Sequence, residues 1–399
     1  MKRRNFFSTL SLAAIVATGA TLVGCSKQQP AAGAGSSAAA SAATANADVI
    51  KIGVFEPLTG ANGAGGNDEL EGIKLANKLY PTILGKKVEL VVVDNKSDKV
   101  EAANAAMVLA QKEKVNAVLG SWGSSLSMAG GPIFAEAKIP AVAVSATNPN
   151  VTKGNEHYFR VCFLDPFQGT VGATYAFNTL KAKKVAIIRE VSNDYSVGLA
   201  KFFVDQFTKL TGDAQAVVAT ADYNTGDQDF TAQLTNIKKA NPDVIFAPGN
   251  YTESALIIKQ ARQLGMKTPF VGGDTWDMDA FLKVGGEAVE GAVFSTFFAN
   301  DVPINKTSEA FLKAYRDEYK KEPPATAALG FDAYRVVLDA ITRANSAEPQ
   351  KIRDALAQTK GFEGAAGDIT INADRDADKP AVFKQVKGGK FAFLSTVKP

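Results

Sequence analysis

From residue 49 onward the chain repeats one alternation: a short run of β-branched and aliphatic residues, then an amphipathic stretch of helical length. The runs are VIKIGVF (49–55), KVELVVVD (87–94), VNAVLG (115–120), PAVAVS (140–145), KVAIIRE (184–190), DVIFAP (243–248), TPFVGG (268–273) and GAVFST (291–296). Apolar runs this short, separated by helices, fit parallel strands covered on both faces, because a parallel neighbour is reached only by a crossover that packs back on the sheet. Between them, Leu199, Phe202, Phe203, Phe207 and Leu210 recur at steps of three and four, as do Phe230, Leu234 and Ile237, each set tracing one helix face. Val100, Ala103, Met107 and Ala110 predict another apolar face, behind an Asp98 and Glu101 pair that suits a helix start.

The alternation predicts an α/β fold of two doubly wound lobes with mainly parallel sheets. At 399 residues the chain exceeds one ordinary domain, and 46% hydrophobic residues supply two cores. Strands before about Val144 and after about Val185 form two successive groups, with the chain crossing near Leu164-Asp165-Pro166. The tail GDITINADRDADKPAVFKQVKGGKFAFLS reads as antiparallel strands with polar turns that cross back, which makes the hinge multi-segment. The expected bodies are residues 48–165 plus 298–372 for lobe 1, and 166–297 plus 373–399 for lobe 2.

The N-terminus is read separately. Residues 1–25 carry a cationic start, an apolar stretch from Leu10 to Val23 and a small residue before Cys25, the layout of a secretory signal peptide. Leu22-Val23-Gly24-Cys25 resembles the lipobox of bacterial lipoproteins, which implies lipid attachment at Cys25 after cleavage. Residues 26–47 are almost all small or polar, cannot build a core, and are expected to form a flexible tether. The product is expected in the periplasm or at the cell surface, anchored to a membrane.

Charge removes one function class. The formal net charge of +3 is matched by Lys2, Arg3 and Arg4 alone, so the remainder has no cationic surplus with which to displace counterions from nucleic acid. Catalysis finds no support either: His157 is the sole histidine, and G-x-S-x-G, Walker A and H-E-x-x-H motifs are absent. The glycines at 63 and 65 follow a strand, but Asp68 stands where a dinucleotide fingerprint needs its third glycine. No cofactor and no metal are expected. Cys25 and Cys162 offer no disulfide framework, and Cys162 reads as a buried thiol.

Doubly wound sheets bind ligands where strands end and helices begin. After VNAVLG comes Ser121-Trp122-Gly123-Ser124-Ser125, and after PAVAVS comes Ala146-Thr147-Asn148. Hydroxyls and free N–H groups there either cap helices or hold a carboxylate, and two such turns on neighbouring strands favour the second use. In the other lobe, Asp274 and Asp277 either cap the next helix or pair a ligand ammonium. Tyr195 can cover apolar ligand surface, and both tryptophans, Trp122 and Trp276, fall in these turns, which favours an aromatic wall over core packing.

These turns are similar to those of type 1 periplasmic binding proteins of the branched-chain amino acid transport family. The resemblance runs colinearly from Asp48 to Pro399, most clearly in EPLTGANGAGGNDELEGIKLAN, SATNPNVT, YNTGDQDFTAQLTNIKKANPDVIFAPGNY and GGEAVEGAVFST. It implies a ligand carboxylate held by Ser124 and by Ser145, Ala146 and Thr147, an ammonium held by Asp274, and Tyr195 and Tyr251 closing from lobe 2, with Phe297 and Phe298 a weaker match. It also implies a monomer that delivers an amino acid to an ABC permease with ATPase subunits. Four departures stand out: Gly65 where the family places an aromatic ring, Trp122 where it has a smaller side chain, Gly123 where it has a disulfide cysteine, and Asp274, one methylene shorter than the glutamate often found there. A ligand such as an amide, urea or aromatic acid, or a sensing role, would use the same fold.

Overall fold

The computed structural model describes residues 49–399. The expected signal peptide, Cys25 and the tether therefore lie outside the described residues. Among those described, no helix is long and apolar enough to cross a membrane.

The chain begins with β1 (Val49–Glu56), α1 (Gly63–Leu79), β2 (Thr82–Ile83), β3 (Lys86–Asp94), α2 (Lys99–Met107), β4 (Ala117–Leu119), α3 (Ser124–Glu136), β5 (Ala141–Ala143) and β6 (Tyr158–Arg160). These strands form one sheet in the order β2-β3-β1-β4-β5-β6, parallel except for β2. After a crossing at Val161–Leu164 come α4 (Asp165–Thr174), β7 (Val185–Glu190), α5 (Asp194–Thr211), β8 (Val217–Tyr223), α6 (Thr231–Ala240), β9 (Val244–Phe246), α7 (Tyr251–Gln263), β10 (Phe270–Gly272), α8 (Asp279–Gly285) and β11 (Val293–Thr296). The chain then returns to pack α9 (Lys306–Tyr319) and α10 (Ala325–Ala344) against α1, with α11 (Pro349–Leu356) on α10. It crosses a third time to add the antiparallel pair β12 (Ala381–Lys387) and β13 (Lys390–Val397), which completes the second sheet, β13-β12-β11-β10-β9-β7-β8.

All eight apolar runs form strands, and the fold is the expected pair of mainly parallel, helix-covered sheets. Asp98 caps α2 through Val100 N and Glu101 N at 2.8 and 3.0 Å. One expected helix face is corrected. Val100 and Met107 of α2 are exposed and its buried residues are Ala102, Ala105 and Ala106, while the expected Ala110 is buried just beyond the helix with Leu109. Alanines let α2 lie close to α3, so within α2 the side chains that pack are small ones and Val100 and Met107 are left outside.

A candidate ligand cavity between two lobes

The C-terminal ends of both sheets face each other across a cleft. Ser124 opens α3 at the end of β4, where the first N–H groups of a helix have no partner in the helix itself. Its Oγ accepts the Asn148 N–H at 3.1 Å, which ties the β4 turn to the β5 turn. From the other lobe, Asp274 starts a 3-10 turn after β10. A cavity of about 80 Å³ lies between them, lined by Trp122, Ser124 and Ser145 from lobe 1 and by Tyr195, Asn250 and Asp274 from lobe 2. The structure therefore brings five of the sequence-derived residues onto one space.

Asp274 is buried and nearly surrounded. Its Oδ1 accepts hydrogen bonds from Gln168 Nε2 at 2.7 Å and from the Tyr195 hydroxyl at 2.9 Å. Burial pushes its carboxyl up to about 6, against the lowering effect of those two donors. Tyr195 reaches it over Gly273, where a Cβ would sit 2.1 Å from the tyrosine oxygen, so only glycine leaves the path open. Asp165, buried beside Thr147, is pushed up by burial to about 8, with the nearby Asp274 charge adding to the effect.

Trp122 explains the glycine at position 65. A Cβ at Gly65 would stand 2.4 Å from Trp122 Cε2, so the indole fills the space that a side chain there would need. The ring meets Tyr251 edge-on at 6.1 Å, and the Tyr251 hydroxyl donates to Ala61 O at 2.9 Å across the cleft. Further bridges join the lobes: Ser125 Oγ donates to Asp194 Oδ2 at 2.7 Å, Lys99 Nζ meets the same oxygen at 3.0 Å, and Asn250 donates to Asn62 at 3.0 Å. The lobes are closed onto each other.

Several expected residues take other places. Trp276 is a correction: it is fully buried in the lobe 2 core and stacked on Phe281 at 4.9 Å, because a 3-10 turn sends residues two apart to different sides. Asp277 accepts from Lys384 Nζ at 2.9 Å and from the Thr296 hydroxyl at 2.7 Å, so it is paired within the protein. The Ala146 carbonyl accepts from Arg160 Nη1 at 2.6 Å, and Thr147 stands beside Asp165; neither residue lines the cavity. Tyr251 closes the lobes without lining it. Phe297 packs on Phe163 at 4.5 Å, and Phe298 packs edge-on against Phe311, both in the core at the crossings.

Sequence reasoning passed over four charged residues that shape the site. Arg160, fully buried, holds the carbonyls of Ala146 and Asn148 and pairs with Asp376 at 2.5 Å. Asp165, Glu56 and Glu69 are buried around the turns. Glu69 carried a readable signal: it lies on the same face of α1 as Gly65, Gly72, Ile73 and Ala76, a charged residue inside an apolar stripe.

A larger cavity, about 670 Å³, lies elsewhere between the lobes, lined in part by Asp68, Glu71, Asp277 and Lys321. Several of its charges pair within the protein, Lys321 with Glu71 at 2.9 Å, Arg316 with Glu322 at 2.7 Å and Lys384 with Asp277 at 2.9 Å. It lacks the strand-end hydroxyl turns, so the smaller cavity is the candidate site.

Comparison with known proteins agrees with this architecture. The chain is 44% identical to a leucine binding protein, LivK, of Thermotoga maritima, with a TM-score of 0.85 over 88% of this chain and 99% of that one. It is 35% identical to the branched-chain amino acid transporter substrate binding protein LivJ of Streptococcus pneumoniae, solved in complex with isoleucine, with a TM-score of 0.82 over 88% of this chain and all of the other. A Leu/Ile/Val-binding protein homolog of Brucella abortus is 28% identical over 98% of this chain and 99% of its own length. The family model described as periplasmic binding protein matches residues 49–390, and with it the chain belongs to the periplasmic binding protein family.

Proposed function

We propose that the chain is the solute-binding component of an ABC importer, taking a neutral α-amino acid between its lobes and presenting the closed form to a permease with its ATPase subunits. The observation that carries the reading is one cavity with anion-favouring groups on one wall, Ser124 at the start of α3, and a carboxyl acceptor, Asp274, on the other. A zwitterion satisfies both walls at once. Ser124 and Ser145 take the carboxylate, Asp274 takes the ammonium, and Trp122 and Tyr195 form the side-chain wall. The relatives that bind leucine and isoleucine support the amino acid class.

In this reading residues 48–165 with 298–372 and residues 166–297 with 373–399 move as bodies about the three crossings, and ligand contacts to both bodies favour closure. Cys25 carries the lipid that holds a monomeric protein at the outer side of a membrane; mass spectrometry of the mature N-terminus detects the acyl groups, and an unmodified Cys25 refutes the anchor. Calorimetric titration tests the ligand class. A branched-chain or other neutral amino acid should bind, and its N-acetyl and amide derivatives, each lacking one charge, should not. Equal binding of the N-acetyl form removes Asp274 from the role given to it and favours an amide, urea or aromatic acid ligand. Absence of binding across all amino acids refutes the class.

A further inference from the structure

The zwitterion accounts for one end of the cavity, where Ser124, Ser145, Tyr195 and Asp274 meet, and leaves the other end without a use. Glu190 ends β7, which lies two strands from β10 in the second sheet, so it stands roughly 10 Å along the row of strand ends from Asp274. It lines the same cavity and is 1% exposed. Its oxygens accept from the Thr225 hydroxyl and from Asn193 Nδ2, the latter at 3.1 Å, and each keeps a free lone pair. The lysine of the cavity wall, Lys99, is bound to Asp194 instead, and Glu253 adds a second acid nearby. Burial raises the Glu190 carboxyl above its ordinary value despite its two donors, so a further donor would be welcome there.

Two asparagines of the same wall complete the picture. Asn62 precedes α1 and Asn250 precedes α7, the position from which an asparagine ordinarily accepts from its own helix, and neither does so. They meet across the cleft. Asn250 Nδ2 donates to Asn62 Oδ1 at 3.0 Å, while Asn250 Oδ1 accepts from Asn193 Nδ2 at 3.3 Å. An amide carries two N–H donors, so one remains on Asn250 and both remain on Asn62, whose Nδ2 has no acceptor among the described residues. This end of the cavity therefore offers an acceptor from lobe 2 and amide donors from both lobes.

An aliphatic side chain lying there would strip water from these groups and return no hydrogen bond, which a polar site penalises heavily. An ammonium-tipped side chain would satisfy Glu190 but leave the Asn62 amide without an acceptor, because an ammonium has donors alone. A carboxamide supplies both, its N–H to Glu190 and its oxygen to Asn62. Its reach fits as well: an α-ammonium and a side-chain amide nitrogen about 5 Å apart, with a hydrogen bond of about 2.9 Å at each end, span the distance from Asp274 to Glu190. We infer that Glu190 and Asn62 form a specificity subsite for a side-chain carboxamide, so that the amino acid held by Ser124 and Asp274 is asparagine or glutamine rather than a branched-chain one. The inference rests on the ligand reading given above.

The test titrates amino acids calorimetrically into the full-length mature protein in two pairs matched in size, asparagine with leucine and glutamine with methionine, and adds ornithine as a side chain with donors alone. At least one carboxamide should bind about 30-fold or more tightly than its apolar match, which leaves two buried polar groups unmet. Ornithine should bind more weakly than that carboxamide. Asn62→Ala removes the donor without removing a helix cap, and Glu190→Gln exchanges one acceptor oxygen for a donor. Each should cut the carboxamide-to-apolar affinity ratio by about fivefold or more. The ratio is the readout, because a change that only loosens the fold or the closure weakens both members of a pair alike.

Leucine and methionine binding as tightly as their carboxamide partners overturns the subsite and leaves the amino acid reading standing. Ornithine binding more tightly than both carboxamides, or a ratio unchanged in both variants, does the same. If no amino acid binds, the reading and the subsite fall together. Should Glu190→Gln fail to fold, Asn62→Ala, at a half-buried turn position, makes the comparison from the lobe 1 side.

Discussion

Asp274→Asn separates what the residue does for binding from what it does to folding, and the two effects have opposite signs. The carboxyl is buried, and burial raises it from 3.8 to about 6. An acid raised in the folded state contributes stability that is whole below its unfolded value and is lost as pH rises through its folded value. At pH 7 the folded protein therefore carries an ionised Asp274 at a cost of about 3 kcal/mol relative to an unperturbed carboxyl. Asparagine keeps an oxygen to accept from Gln168 and Tyr195 and has no charge to desolvate. For a folded body of about 350 residues, with an unfolding entropy near 0.7 kcal/mol/K, relief of that cost raises Tm by at most about 4 °C. Burial of the amide offsets part of the gain, so a rise of about 2 to 4 °C is expected at pH 7, shrinking towards zero near pH 4. Binding moves the other way. Truncating one member of a buried charge pair costs roughly 2–5 kcal/mol, which weakens Kd roughly 30- to 4,000-fold. Scanning calorimetry without ligand and titration with amino acids measure the two halves. A variant that melts below the wild type at pH 7, or that binds within about threefold of it, refutes the reasoning.

Three further substitutions test other parts of the structure. Gly65→Ala puts a methyl 2.4 Å from Trp122 Cε2 and should weaken ligand binding, yet have little effect in a Trp122→Ala background; a coupling of about 1 kcal/mol or more is expected by titration, and equal effects in both backgrounds contradict the shared space. Arg160→Met leaves Asp376 without its partner and the Ala146 and Asn148 carbonyls without their donor, at a cost of about 3–5 kcal/mol; urea denaturation reads it, and unchanged stability argues against the clamp. Asp194→Asn removes the half-exposed charge that bridges to Lys99 and Ser125, so a loss of only about 0.2–1 kcal/mol is expected, visible as faster ligand release in stopped flow and abolished by high salt in the wild type; an effect insensitive to salt would show that closure does not use this pair.

The strands were legible because a buried parallel strand has to be apolar on both faces, and a run such as KVAIIRE carries that requirement in consecutive residues. The strands missed are those to which the rule does not apply. β8 lies at the sheet edge with most of its residues partly exposed, β2 has two residues and pairs antiparallel, and β6 is three residues ending in a buried arginine. The hydroxyl turns at Ser124 and Ser145 and the acid at Asp274, which line the smaller cavity, were readable because the strand ends of doubly wound sheets are where clefts form. Trp276 was misplaced because composition marks a turn without saying which side of it each residue faces. Glu56, Asp165 and Arg160 were hidden for another reason: a charge at the end of an apolar run looks like the return to solvent, and only the packing of a second element over it shows that it is enclosed.

The account depends on the ligand spanning both lobes in one orientation. A crystal structure of the protein with the tightest-binding amino acid measures this directly. The expected result places the ligand carboxylate within hydrogen-bond distance of Ser124 Oγ and the N–H groups at the start of α3, and its ammonium against Asp274. A ligand in the reverse orientation, or one seated in the larger cavity beside Asp68 and Lys321, contradicts the account.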